Sequence, residues 1–248
     1  MDRDNLRPPA LFLAKLNNKK RFSKGLLAMN LMRPFLAIIG FGLSGPLVAQ
    51  GWFEYLSQVD KFTVNFPAEP VITEIDYPSE YGAVFPSRIY TAKTGENVYK
   101  VTVVDYRDSE AIHLARENST EADSPDSYQY WRIDVLASIA YAAAAYRQRD
   151  GEVTFDAWAH IDRVPGHQLQ LTYDDGSRSY VGIYLHERQL YIVDATVPVS
   201  SPPQGHFQQS LGFVDDEGQR IRYNFDENAY AVTGVGNHVR VMLTRPRN

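Results

Sequence analysis

Residues 152–197 are short apolar, β-branched and aromatic runs, the first of them alternating with polar side chains, separated by turn signals, and that pattern reads as an antiparallel meander. "EVTFDAWAHI" sets Val153, Phe155, Ala157, Ala159 and Ile161 on one side. Turns are expected at Val164–Gly166, Asp174–Gly176 and Glu187-Arg188, which divides the stretch into a four-stranded meander. The Asp174, Asp175, Gly176 triplet suits a three-residue loop with glycine in the left-handed position. That register sets Leu171 opposite Ser179 and Leu169 opposite Val181, so Leu169, Leu171, Val181, Ile183 and Leu185 share the core face.

Upstream, the same period recurs. "FTVNFPAEP" sends Phe62, Val64 and Phe66 to the core, and Pro67 and Pro70 end the strand. Strands near Arg88–Lys93 and Val98–Tyr106 form a hairpin around Gly95. Residues 107–127 are polar and turn-rich, with room for a short helix around Ser109–Arg116. One long helix follows Ser124, Pro125, Asp126 and Ser127, which supply cap and first-turn chemistry. Its apolar stripe is Tyr128, Trp131, Val135, Ile139, Ala142 and Tyr146, widened by Leu136 and Ala143, and Gly151 ends it. Arg132, Asp134, Arg147 and Arg149 form no continuous basic face, so core packing is a better account of this helix than membrane binding. A loop and a short helix carrying Phe207 and Leu211 come next, and Asp215–Glu217 with Gly218 marks the expected end of the compact region. The fold class is therefore α/β in the α+β sense, a twisted antiparallel sheet flanked by helices.

The charge is uneven. Eight of the 25 Lys/Arg and two of the 30 Asp/Glu fall in residues 1–49, leaving 17 basic and 28 acidic residues, about -11, in the rest. That balance is wrong for a nucleic-acid binder. "MRPFLAIIGFGLSGPLVAQ" has Arg33 before an apolar run from Phe35 to Leu43, then Gly45 and Pro46, with Ala49 as a small residue for cleavage, so residues 1–49 read as a secretory signal peptide. The run is shorter than the roughly 20 residues a spanning helix needs, which makes a stable transmembrane anchor the weaker reading. The stretch before Met32 is long for a charged leader, and a start at Met29 or Met32 fits better. With no cysteine, disulfides, thiolate metal sites and thiol catalysis are all closed to the chain.

The order strand, hairpin, long helix, meander, short helix, opened by Phe62–Pro67, resembles the PsbP-like fold, to which bacterial envelope proteins of the DcrB kind belong. Trp52-Phe-Glu-Tyr55, Val101-Thr-Val-Val-Asp-Tyr106, Ser138-Ile-Ala-Tyr141 and Phe207-Gln-Gln-Ser-Leu-Gly-Phe213 are similar to a group of uncharacterised exported proteobacterial proteins, over residues 52–217. The resemblance implies an α/β/α sandwich spanning about 50–217, with 218–248 as a C-terminal extension. It further implies binding or assembly rather than catalysis, and it brings no catalytic residues with it.

Chemical motifs are sparse. There is no Gly-x-Ser-x-Gly or P-loop. "GVGNH" at 234–238 is a turn, Asn118-Ser119-Thr120 is an ordinary loop, and His186-Glu187 lacks the second histidine of a zincin pair. Spacing does not converge His160, His167 and His186 on a zinc ion. No cofactor is expected. In the expected register His160 faces Gln170, which faces Tyr180, a row on the side away from the core list, with Trp158, Tyr184 and His186 beside it. Trp158, His160, Gln170, Tyr180, Tyr184 and His186 are thus the candidate surface for an envelope protein partner. The competing reading covers Trp158, Tyr180 and Tyr184 with another layer of the same chain. Two other expectations are a hydrolase using Asp156, His160 and Tyr180, and an apolar ligand held between helix and sheet. The expected localisation is periplasmic or secreted. N-terminal sequencing of exported protein should then begin close to Gln50, and a mature chain beginning before Met29 would refute the leader.

Overall fold

The structure, a computed structural model, describes residues 51–116, 130–225 and 231–232. The leader, the expected helix start at 124–127, Tyr128, Asn118 and "GVGNH" lie outside the described residues. Antiparallel strands β1 (Phe53–Ser57), β2 (Phe62–Phe66), β3 (Val71–Pro78), β4 (Val84–Thr94) and β5 (Asn97–Asp105) come first. Helices α1 (Ser109–Arg116) and α2 (Tyr130–Arg147) follow. The meander is β6 (Glu152–Ile161), β7 (Val164–Thr172), β8 (Arg178–His186) and β9 (Gln189–Val197). Helix α3 (Gly205–Gln208), β10 (Gly212–Phe213), β11 (Asn224–Phe225) and β12 (Ala231–Val232) complete the described chain.

Seven strands form one antiparallel sheet in the order β3-β4-β5-β9-β8-β7-β6, and β1-β2-β10 form a smaller one. An antiparallel, sheet-rich α+β class is thus present. Each face of the large sheet carries its own core. On one face Leu169, Leu171, Val181 and Ile183 pack with Val135, Ala142, Ala143 and Tyr146 of α2. Alanines there let the helix axis approach the sheet closely, which burial of larger side chains would prevent. The other face holds Tyr90, Tyr99, Tyr180, Tyr184 and Tyr191 under Phe62, Val64 and Phe66 of β2, Phe207 of α3 and Phe213 of β10. This second face is therefore covered chiefly by the small sheet, with α3 beside it.

The register of β7 on β8 is the expected one, with Leu171 opposite Ser179 and Leu169 opposite Val181. Four other expectations are corrected. The β6–β7 turn is Asp162-Arg163, both at positive φ, rather than Val164–Gly166. Two such residues are what a two-residue hairpin needs to match strand twist, and ion pairs from Arg220 and Arg222 hold Asp162 there. Gly166 serves a different need, because a Cβ on it would stand 2.3 Å from the Tyr184 ring and from the Ile183 carbonyl.

The alternation of β6 is also broken. An irregularity between Val153 and Phe155 leaves Thr154 unpaired, with its hydroxyl donating to the Gln170 carbonyl at 3.3 Å. One extra residue sends everything after it to the opposite face, so Val153 and Phe155 do not share a side. Leu136, expected to widen the α2 stripe, is 75% exposed. Nor does compact structure stop at Gly218. The chain turns there and returns: Ile221 N–H donates to the Phe213 carbonyl at 2.7 Å, and Tyr223 is buried against His186.

Asp60, in the β1–β2 turn, is 1% exposed and pins the small sheet to the large one. Its carboxylate accepts hydrogen bonds from Arg88 Nη1 at 2.5 Å and Tyr90 Oη at 2.6 Å, and its carbonyl accepts from Tyr191 Oη at 2.8 Å. Ser57 Oγ lies 2.9 Å from the Tyr90 hydroxyl and accepts the Asp60 N–H at 3.2 Å. Asp60→Ala leaves the buried Tyr90 hydroxyl with Ser57 alone and takes from the half-buried Arg88 guanidinium its closer carboxylate. A loss of about 3 kcal/mol in urea unfolding is expected, whereas Glu69→Ala, on the adjoining surface, should change little.

Candidate functional site

Paired residues in adjacent strands share a face, so the register decides which candidate side chains can act together. Trp158 pairs with His167 and His160 with Pro165, on the helix-bearing face. Gln170 pairs with Phe155 and Tyr180, on the opposite face. The expected row His160, Gln170, Tyr180 is therefore split by the Thr154 irregularity and the shorter turn. Tyr180 and Tyr184 are buried under the small sheet, as the competing reading held. Gln170 is half-buried beside Phe155, and His186 is sealed inside the aromatic core. Only Trp158 and His160 remain together and exposed, with Trp158 at 76%.

Around Trp158 the structure builds a polar cluster that spacing alone did not reveal. Arg147, at the end of α2, donates from Nε to Asp156 Oδ2 at 2.6 Å and from Nη2 to Asp156 Oδ1 at 3.0 Å. His167 Nε2 hydrogen-bonds the same carboxylate, and Trp158 meets the His167 ring edge-on at 5.2 Å between centroids. The Arg147 guanidinium, followed by the desolvation that opposes it and the His167 bond, leaves Asp156 with a pKa lowered to about 2. A carboxylate so well satisfied by Arg147 and His167 is an orienting group, not a general base. Trp158 therefore stands on a rigid edge, and its indole presents apolar area to solvent.

A second cluster has the residue types of a hydrolytic triad. Ser79 Oγ donates to Asp134 Oδ2 at 2.5 Å, and His113 Nε2 lies 2.9 Å from the same oxygen. Here the aspartate is central and both partners bond to it, whereas nucleophilic catalysis requires the serine to bond to the histidine. All three are buried, and Ser79 Oγ also accepts the Ala83 N–H. The cluster ties α1, α2 and the β3–β4 loop together.

A cleft of about 400 Å³ opens on the small-sheet side of β3–β5, lined by Asp60, Glu74, Asp76, Arg88, Val103 and Asp105. Arg88 bonds Asp60 and stands 3.5 Å from Glu74, and Arg107 holds Asp105 at 2.5 Å. Burial is the largest single effect on the Asp105 pKa and raises it, but the Arg107 side-chain and backbone hydrogen bonds and the charges of Arg107 and Arg88 together bring it below the ordinary carboxylate value. Asp76 has no ion-pair partner among the described residues. This cleft was not expected from sequence, because its residues come from four separate segments. Among the described residues no three His, Cys, Asp or Glu side chains are placed to hold a metal ion, and no helix is long and apolar enough to cross a membrane.

The space proposed for an apolar ligand between α2 and the sheet is occupied by Val135, Ala142, Ala143 and Tyr146 against Leu169 and Leu171. No protein-family model matches the chain, and no curated protein matches it.

His186 stacks on Phe213 with centroids 4.2 Å apart and hydrogen-bonds the Tyr223 hydroxyl, while its Nδ1 is buried without a partner. Burial lowers its pKa from 6.5 to about 4. The unfolded chain therefore binds the proton more readily, and the contribution to stability is complete above about pH 6.5 and lost as pH falls toward 4. Urea unfolding at pH 7 and pH 5 should show a drop about 2 kcal/mol larger in the natural protein than in His186→Gln. Equal drops would place the imidazole in water.

Proposed function

We propose that the protein is an exported binding or accessory factor of a bacterial cell envelope, built as a PsbP-like sandwich and not as an enzyme. Its partner contact is the β6 edge around Trp158 and His160. The observation that carries this reading is the exposed indole of Trp158, held by the Arg147, Asp156 and His167 cluster on an edge strand with free backbone groups. An indole at a sheet edge offers a large amphipathic contact area, and a rigid aromatic loses little entropy when covered. The leader-like N-terminus and the acidic body support the export component. The hydrolase alternative is less well supported, because Asp156 and His160 lie on one face of the sheet and buried Tyr180 on the other.

Trp158→Ala with His160→Ala should abolish capture of the envelope partner from native extract, read by mass spectrometry. The melting temperature should stay within about 2 °C, as for exposed substitutions generally. Retained capture sinks the contact surface, and a fall of many degrees would mean that the indole packs against its own chain.

A further inference from the structure

The large sheet has two edges, and the one at β3 differs in chemistry from the one at β6. Strand β3 runs from Val71 to Pro78 and among the described residues pairs only with β4, so alternate residues turn their N–H and C=O groups away from the sheet. Pro70 precedes it and Pro78 closes it, which limits any added strand to the length between them. On the cleft side β3 presents Glu74 and Asp76, two positions apart and therefore on one face. Glu74 is 81% exposed, and its one cation among the described residues, Arg88, is shared with Asp60 and held closer there. On the reverse side β3 presents Val71 and Ile75, of which Val71 is largely exposed.

We propose that the β3 edge docks an extended basic polypeptide as an eighth strand, its Lys or Arg side chains opposite Glu74 and Asp76 at the mouth of the cleft. Charge selects this occupant. A second copy pairing antiparallel about Ile75 would set Glu74 directly opposite Asp76 of its mate, and like charges so placed repel. A guest with basic residues on one side and apolar residues on the other matches both faces of β3, because an added strand also alternates. Residues directly opposite in such a pair have Cβ atoms about 5 Å apart, within reach of ammonium-carboxylate contact. The cleft behind Glu74 and Asp76 gives long cationic side chains room to turn inward over Val103 while their heads stay near carboxylates.

The probe is an acetylated, amidated Lys-Val-Lys-Val-Lys-Val peptide added to the full chain and followed by calorimetry and amide hydrogen exchange. Saturable binding with slowed exchange within residues 71–77 is expected. Glu74→Gln with Asp76→Asn should weaken binding about tenfold without lowering the melting temperature, since both side chains are exposed. Trp158→Ala with His160→Ala should bind the probe as the natural protein does, which separates this site from the β6 contact. The proposal is overturned if the fully N-methylated peptide binds equally well, if spermine matches the peptide, or if exchange along β3 is unchanged. It is likewise overturned if the Glu74, Asp76 variant retains full affinity.

Discussion

The two layers of the protein are joined at one buried carboxylate. Hydrophobic burial would press the small sheet onto the aromatic face of the large one, but it is non-directional and does not set where the two meet. Asp60 supplies that setting, because its carboxylate reaches β4 through Arg88 and Tyr90 while its carbonyl reaches β9 through Tyr191. Tyr99 does the same at the other end, donating to Gln204 before α3 at 3.1 Å. Tyrosine suits both places, since its ring fills the core and its hydroxyl ends at a polar partner. Both sheet edges and the cleft take their positions from this fixed stacking.

How much of this was legible depends on whether a feature leaves a periodic trace. Leu169, Leu171, Val181 and Ile183 could be placed because two strands and a glycine-bearing turn impose one register, and no local irregularity intervenes. Strand β6 could not, because an extra residue at Thr154 costs nothing in composition and still reverses every later side chain. The β6–β7 turn misleads in another way. Val164–Gly166 has better turn composition than Asp162-Arg163, and what stabilises the latter is a pair of arginines about sixty positions away. Pairs at that separation have no local signature.

The candidate surface failed in the same place and for the same reason. Six residues were assigned to one face on the strength of a single register, but the irregularity in β6 sets Trp158 and His160 on the other face, and the layer over the remaining four buries Tyr180, Tyr184 and His186 and half-buries Gln170. Histidine shows the difference sharply. His160 is exposed on the edge strand, whereas His186, drawn from the same expected surface, is kept neutral by burial between Phe213 and Tyr223. Residue type suggested shared chemistry where solvent exposure separates them.

Among the described residues the large sheet has two unpaired edges, and each carries a feature that disfavours pairing with an identical strand. At β6 the irregularity at Thr154 disrupts a continuous ladder and the Trp158 indole projects beside it, so an identical strand would not pair evenly along it. At β3 prolines bound the strand and adjacent carboxylates repel an identical neighbour. Each device that prevents self-association also defines a narrow class of acceptable guest, because what repels Glu74 and Asp76 of another copy attracts a cation in the same position. On the proposed reading of these edges, protection and recognition would arise from the same side chains.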